Sequence, residues 1–90
     1  MAATNSIEKI SLSKAIQLWE NQKENAEKGI KLADQKEVRL IYNVIDIIDG
    51  SVNSLVNCEK LSLSSNLISK IPDINLQNLK ILSLGRNKIK

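Results

Sequence analysis

The sequence predicts an α/β protein in which short parallel strands stack into a right-handed solenoid behind an N-terminal helix. Three observations support this fold class. A motif of leucines and one asparagine recurs at nearly constant spacing, the segments between its copies keep their own apolar pattern, and the residues before the first copy have helical periodicity. Aromatic residues make up only 2% of the chain and Phe is absent, so the core must be aliphatic.

Two copies of the motif match position by position. Residues 58–68 and 79–89 both fit L-x-x-L-x-L-x-x-N-x-I, with Cys58 in place of the first leucine. Asn66 and Asn87 are 21 residues apart, within the period of about 20 to 29 residues that defines leucine-rich repeats. The sequence therefore predicts a leucine-rich-repeat solenoid.

A weaker copy lies upstream over residues 35–45, where Asn43 precedes Asn66 by 23 residues. Side chains alternate along a strand, so the two leucines of each L-x-L enter the same core. The asparagine follows where the chain must turn, and a buried amide there can bond backbone groups of its own and adjacent turns. We predict a ladder of inward-facing asparagines at Asn43, Asn66 and Asn87.

The outward-facing strand positions predict columns of side chains across neighbouring repeats. These columns are Glu37, Lys60 and Ile81; Arg39, Ser62 and Ser83; and Ile41, Ser64 and Gly85. Stacked solenoids present such columns as an extended concave surface on which partners dock, and the small residues leave room for a partner. Together with Arg86, the columns are the predicted partner surface.

Residues 13–25 are predicted to form a helix, with Ser13 as N-cap and Ser11 as the alternative. The side expected to face the protein carries Ala15, Ile16, Leu18, Trp19 and Lys23. A polar stretch continues to Gly29, a suitable helix stop.

An amphipathic helix can cover the apolar flank of a first repeat, so Trp19 is predicted to pack on the core. We expect two parts, an N-terminal helical cap over residues 1–34 and the repeats over residues 35–90. Within the cap, residues 4–12 are expected to form a helical turn that starts at Thr4 or Asn5.

The composition argues against catalysis. Histidine is absent and Cys58 is the single cysteine, so the usual Ser-His, Cys-His and zinc arrangements cannot form. We expect no enzymatic activity, no cofactor and no metal site, and we expect Cys58 to be a small buried hydrophobe. The acidic residues of the N-terminal region are expected to be solvated: Glu20, Glu24, Glu27 and Asp34.

Charge and hydropathy restrict the partners. The chain has no apolar stretch near the roughly 20 residues of a membrane span, and its polar start lacks the blocks of a signal peptide, so we expect an intracellular protein that binds no membrane. The net charge of +3 arises largely after Lys80 and favours an acidic partner weakly. No aromatic residue accompanies these basic residues, so nucleic acid is not expected as a partner.

Four segments together resemble the axonemal outer-arm dynein light chains of the light-chain-1 type, namely residues 14–20, 38–40, 55–66 and 78–87. The resemblance extends over residues 12–90, and Ile-Leu-Ser-Leu-Gly-Arg-Asn at 81–87 is more specific than the repeat alone. It implies a repeat protein with helical caps that binds the motor domain of an axonemal dynein heavy chain and touches tubulin. The implied location is the cytoskeleton of the cytoplasm, in the axoneme of a cilium or flagellum.

The chain departs from that family pattern in two ways. Residues 43–45 are shorter than the family's proline-containing segment, so we expect a remodelled first turn. The chain ends at Lys90, so we interpret it as an N-terminal piece that lacks the C-terminal repeats. We then expect an uncovered layer of Leu82, Leu84 and Ile89, and self-association through the unpaired edge of the last strand.

One alternative function remains open from the sequence. Other leucine-rich-repeat adaptors, such as protein phosphatase regulatory subunits, share this type of repeat. The helix that carries Trp19 counts against them.

Overall fold

The computed structural model describes residues 8–89. Its helices and strands are short and follow one another in the order β1 (Ile10–Ser11), α1 (Leu12–Glu20), α2 (Lys23–Lys28), β2 (Glu37–Arg39), β3 (Ile45–Ile47), β4 (Lys60–Ser62) and β5 (Ile81–Ser83). Short 3₁₀ turns at Leu32–Asp34 and Gly50–Ser54 precede β2 and follow β3. The chain thus has an α/β fold.

The strands β2, β4 and β5 form a parallel sheet with β4 in the middle. Leu61 of β4 lies opposite Val38 of β2 and opposite Leu82 of β5, so the same motif position stacks across three coils of the chain. This confirms the prediction of adjacent parallel strands. Strand β4 ends at Ser62, immediately before Leu63, the second leucine of the motif.

A second parallel pairing joins β1 to β3 and was not predicted. Ile10 lies opposite Ile45, and the Ile10 N–H donates to the carbonyl of Val44 at 3.1 Å. The expected helical turn over residues 4–12 is therefore wrong over residues 8–11, because Glu8 and Lys9 are not helical and Ile10–Ser11 is a strand. Leu12 already belongs to α1. The start of that expected turn, including its caps Thr4 and Asn5, lies outside the described residues.

Helix α1 begins at Leu12, and the N-cap is Ser11, whose Oγ accepts the Lys14 N–H at 3.2 Å. The alternative prediction is correct and Ser13 is not the cap. The shift by two residues brings Leu12 into the first turn, where it is fully buried. Ser13 instead donates its N–H to Asp49 Oδ2 at 3.3 Å.

The buried side of α1 has the spacing i, i+3, i+4, i+7. Leu12 and Ala15 are buried, while Ile16 and Trp19 are partly buried and pack against the core. The prediction that Trp19 packs on the core is confirmed. Leu18 was placed on the wrong side of the helix, since 48% of it is exposed.

The predicted helix also stops earlier than residue 25. The helix is interrupted at Asn21 and Gln22. A separate helix, α2, then spans Lys23–Lys28 and has no buried residue. Gly29 ends α2 in the left-handed conformation, φ 64°, as the predicted helix stop. Lys23 is exposed and contributes nothing to the packed side of α1.

One aliphatic core joins the cap to the coils. Its buried side chains are Leu12, Ala15, Leu32, Val38, Leu40, Ile45, Ile48, Val52, Leu55, Cys58, Leu61, Leu63 and Ile68. The apolar side chains of the last coil are less buried, since Leu82 is 38% and Ile89 39% exposed. No helix in the described part of the chain is both long and apolar enough to cross a membrane.

Candidate interaction surface

The outer face of the parallel sheet carries two columns of side chains that the strand register aligns. Glu37, Lys60 and Ile81 follow one another across β2, β4 and β5. Arg39, Ser62 and Ser83 form the second column two residues further along the strands. Neighbouring strands lie about 4.8 Å apart, so one bound segment can reach all three members of a column.

The third expected column, Ile41, Ser64 and Gly85, lies where the strands have already ended. The carbonyl groups of Ser64 and Gly85 each accept a side-chain N–H at 3.2 Å, from Asn66 and Asn87 respectively. The backbone at these positions therefore serves the turns. Within residues 8–89, no strand pairing aligns the three as a column.

The face is basic and open. Arg39 and Lys60 are exposed, and neither has an ion-pair partner among the described residues. Lys80 differs, because its Nζ lies 3.5 Å from Glu59 Oε1. Arg86 is exposed in the turn beyond β5, with φ 58°.

A shallow cavity of about 110 Å³ lies on this face. It is lined by Glu37, Val38, Arg39, Lys60, Leu61, Ser62, Ile81 and Ser83. Half of the Ile81 surface is exposed, at 50%, whereas Ser62 and Ser83 are half-buried. The lining residues thus include two cations, one carboxylate and two hydroxyl groups, and Ile81 is the one exposed residue among the three apolar ones.

A larger cavity of about 290 Å³ lies beside Val56 and the loop 75–78. Its lining residues are Val56, Asn75, Leu76, Gln77 and Asn78. Because no lining side chain is charged, this cavity lacks a group that would select a ligand by charge.

Behind the sheet, Asn66 is buried and forms five hydrogen bonds. Its Oδ1 accepts the N–H groups of Asn43 at 2.9 Å and Ile45 at 3.1 Å. Its Nδ2 donates to the carbonyls of Leu40 and Leu63, each at 2.8 Å, and more weakly within its own turn. One side chain thus satisfies backbone groups of two successive coils.

Asn87 repeats this pattern one coil later. Its Oδ1 accepts the Ile68 N–H at 3.0 Å, and its Nδ2 donates to Leu63 O at 2.9 Å and Leu84 O at 3.0 Å. Asn87 is only partly buried, unlike Asn66. Each of these two asparagines bonds the coil that precedes it.

Asn43 behaves differently from the other two. Its Nδ2 donates to Ile41 O at 2.8 Å, two residues back in its own turn. In place of a preceding coil, the strand β1 contacts this region through Val44. The Asn43 backbone N–H therefore donates to Asn66, but the Asn43 side chain bonds only its own turn among the described residues.

The three turns share a left-handed residue just before the asparagine. These residues are Tyr42, Ser65 and Arg86, with φ of 56°, 60° and 58°. The first turn is unusual because Val44 also has a positive φ, 49°, which is rare for a β-branched residue.

Two further asparagine side chains form hydrogen bonds between successive coils, and the sequence analysis did not predict them. The Asn75 N–H donates to Asn53 Oδ1 at 2.8 Å, and Asn78 Nδ2 donates to Val56 O at 3.1 Å. Both bonds join residues 22 positions apart, and so they link successive coils. The signal in the sequence is the recurrence of asparagine at Asn53 and Asn75, 22 positions apart, between the copies of the motif.

Asp49 connects the cap to the coils and was also missed. Its carboxylate accepts the Ser51 N–H at 3.0 Å, the Ser51 hydroxyl, and the Ser13 N–H at 3.3 Å. Burial raises the pKa of Asp49, but the hydrogen bonds from Ser51 and Ser13 outweigh it, so the pKa lies below its ordinary value. No periodicity identifies a contact made across 36 residues.

Glu24, Glu27 and Asp34 are exposed, as expected, whereas the expectation is wrong for Glu20, which is half-buried and makes a structural contact. Glu20 Oε2 accepts the Leu32 N–H at 2.8 Å, so it holds the 3₁₀ turn against the end of α1. Glu24 forms an exposed ion pair with Lys28 at 3.5 Å, and Asp34 is exposed.

Cys58 is fully buried at a leucine position, and its Sγ–H lies 3.3 Å from the carbonyl of Lys60. Burial raises the pKa of this thiol. In the described chain, no three His, Cys, Asp or Glu side chains come together as ligands for a metal ion.

Comparison with known proteins gives one consistent result. The chain is 45% identical to dynein axonemal light chain 1 of Rattus norvegicus and 49% identical to that of Ciona intestinalis. Each match covers 89% of this chain and 41% of the relative, so the chain spans about two fifths of the length of these relatives. Dynein axonemal light chain 1 of Chlamydomonas reinhardtii is 41% identical over 64% of this chain and 30% of its own length. No protein-family model matches the chain.

Proposed function

The chain belongs to the family of dynein axonemal light chain 1, and from this we propose that it acts as a non-catalytic light chain of an axonemal dynein. The observation that carries the proposal is that the match extends over most of the chain. A likeness confined to the repeat motif would fit many unrelated adaptors. A match that also includes the N-terminal helix narrows the choice to this family.

In this proposal the coils are leucine-rich-repeat units of a right-handed solenoid. Residues 35–90 form the repeats and residues 1–34 form the cap. Three features support the repeat assignment: the in-register strands, the bonds from Asn66 and Asn87 to preceding coils, and the left-handed turn residue that recurs before each asparagine.

The proposed partners are the motor domain of an axonemal dynein heavy chain and the microtubule. The light chain would work in the axoneme of a cilium or flagellum, where it would modulate motility without catalysing a reaction. The two columns on the sheet are the proposed contact surface. Their support is physical, because Arg39 and Lys60 have no ion-pair partner within residues 8–89 and lie on the same face as the exposed Ile81.

Capture from an axonemal extract tests the proposal. The tagged 90-residue chain would be incubated with a high-salt extract of ciliary axonemes, and the bound proteins would be identified by mass spectrometry. We expect an axonemal dynein heavy chain, displaced by an excess of untagged chain. Capture of a protein phosphatase catalytic subunit without a heavy chain would replace the proposal with the alternative adaptor function.

Microtubule binding needs its own measurement. Cosedimentation of the chain with polymerised tubulin, at increasing salt, would show whether the contact exists without the heavy chain. We expect salt-sensitive binding, because the sheet face and the turn at Arg86 are basic.

A further inference from the structure

The column Arg39, Ser62 and Ser83 has donors without partners. The register places these residues side by side on three strands. Among the described residues, Arg39 has no ion pair. The serine hydroxyls that donate within the described fold are those of Ser51 and Ser54, and not those of Ser62 or Ser83. Arg39, Ser62 and Ser83 all line the same open cavity.

This set of donors matches a carboxylate. Arginine presents a planar fork that binds both oxygens of a carboxylate, and hydroxyl donors can share the same acceptor. Strand spacing puts Ser62 about 4.8 Å from both neighbours, so the long side chain of Arg39 can reach over it toward Ser83. The cavity of about 110 Å³ accommodates one side-chain head group.

The neighbouring column supplies the second half of the recognition. Ile81 is 50% exposed and lies two residues before Ser83 on β5, so both side chains point to the same face about 7 Å apart. Lys60 adds positive charge beside Ile81, while Glu37 at the far end repels an acidic group there. The charges thus give a bound segment one preferred placement.

We propose that this face binds an extended acidic segment of a protein partner, with a carboxylate in the Arg39–Ser62–Ser83 column and an apolar side chain against Ile81. The segment carries the two side chains at positions i and i+2, because that spacing matches β5. The inference rests on the proposed function for the identity of the partner protein, and on the contacts of this face for the binding chemistry.

A peptide titration tests the chemistry without any dynein. The ¹⁵N-labelled 90-residue chain would be titrated with acetylated and amidated Leu-Ser-Glu-Ser, and with the matched peptide Leu-Ser-Gln-Ser. We expect saturable shifts at the amides of Arg39, Ser62, Ile81 and Ser83, with the glutamine peptide about tenfold weaker. Equal binding of both peptides, or shifts confined to other surfaces, would overturn the proposal.

Charge reversal supplies the matched variants. Arg39→Glu is expected to abolish the preference for the glutamate peptide, whereas Lys23→Glu on α2 makes the same charge change away from the sheet and should leave it unchanged. Dispersed amide spectra check that each variant is folded. If Arg39→Glu fails this check, the double variant Ser62→Ala with Ser83→Ala replaces it, with binding about threefold to tenfold weaker.

The two proposals can fail separately. If the wild-type chain distinguishes the peptides but captures no heavy chain, the acidic-segment site stands and the dynein assignment falls. If it captures the heavy chain and Arg39→Glu captures it equally well, the proposed site is wrong and the dynein assignment stands.

Discussion

The side-chain oxygen of Asn66 lies 2.9 Å from the backbone nitrogen of Asn43, one coil earlier in the chain. The same oxygen accepts the N–H of Ile45, and the amide nitrogen donates to Leu40 and Leu63. Asn66 is buried, so the Ile45 N–H and the Leu40 carbonyl depend on it for these hydrogen bonds, whereas the Leu63 carbonyl also accepts from Asn87.

Replacement of the three ladder asparagines should therefore give unequal losses. Asn66→Ala leaves the buried Ile45 N–H and Leu40 carbonyl of the preceding coil unpaired, and we expect the free energy of unfolding to fall by about 3 kcal/mol. Asn87→Ala should lower the free energy of unfolding by about half as much, because Asn87 is only partly buried. Asn43→Ala should lower it by about 1 kcal/mol or less, because the Asn43 side chain bonds its own turn. Urea unfolding followed by Trp19 fluorescence measures all three, and equal losses would contradict the distinct role of Asn66.

The contact from Asp49 to the cap should be pH-dependent. The folded pKa lies below 3.8, so the stabilisation is present above that value and is lost as the pH falls through the folded pKa. We expect Asp49→Asn to be less stable than the wild type at pH 7, by about 1 kcal/mol, because hydrogen bonds to a carboxylate are stronger than those to a neutral amide, and we expect the difference to shrink at low pH. Urea unfolding of both proteins across this pH range provides the test, and a difference that grows with acidity would refute it.

The end of α2 should depend on Gly29. Its φ is 64°, and a Cβ there would meet no atom within 4 Å, so Gly29→Ala has a conformational cost alone, about 1 kcal/mol. Gly50→Ala is the control, because Gly50 has equal space and no positive φ. Thermal unfolding should show a lower Tm for Gly29→Ala than for the wild type. For Gly50→Ala the free energy of unfolding should change by no more than about 0.5 kcal/mol, so its Tm should stay close to that of the wild type.

The thiol of Cys58 should be unreactive in the folded chain. It is fully buried, and burial raises its pKa above 9.0, so the reactive thiolate is scarce at neutral pH. We expect a disulfide reagent to label it only after unfolding, with a rate that rises with urea. Because the unfolded thiol ionises first, stability should also fall as the pH rises above 9.0. Rapid labelling without denaturant would show that the leucine position is open to solvent.

Several features were predictable from local spacing. The alternation of Leu61 and Leu63 and the shared period of Asn66 and Asn87 indicate parallel coils, because each coil repeats the same short-range geometry. The alignment of Arg39 with Ser62 and Ser83 follows from the same period. These are relationships that a repeat carries in its own sequence.

The predictions of other features were wrong or absent because those features depend on contacts between distant segments. Ile10 lies in a strand because its backbone pairs with β3, although the local sequence also fits a helical turn. Leu18 lies outward because the core meets α1 along Leu12, Ala15 and Trp19, a direction that periodicity alone leaves ambiguous. The role of Asp49 required knowing that the start of α1 lies beside the second 3₁₀ turn.

The sequence by itself therefore determined the stacking of coils and two of the three predicted columns on the sheet face, because a fixed period places equivalent residues in equivalent positions. Only the tertiary structure decided how the cap is attached, through β1 and Asp49, and why Asn43 differs from Asn66. The physical reason is that both features depend on which backbone N–H and C=O groups of one segment lack a hydrogen-bond partner within that segment. Their partners are determined only when the segments pack together.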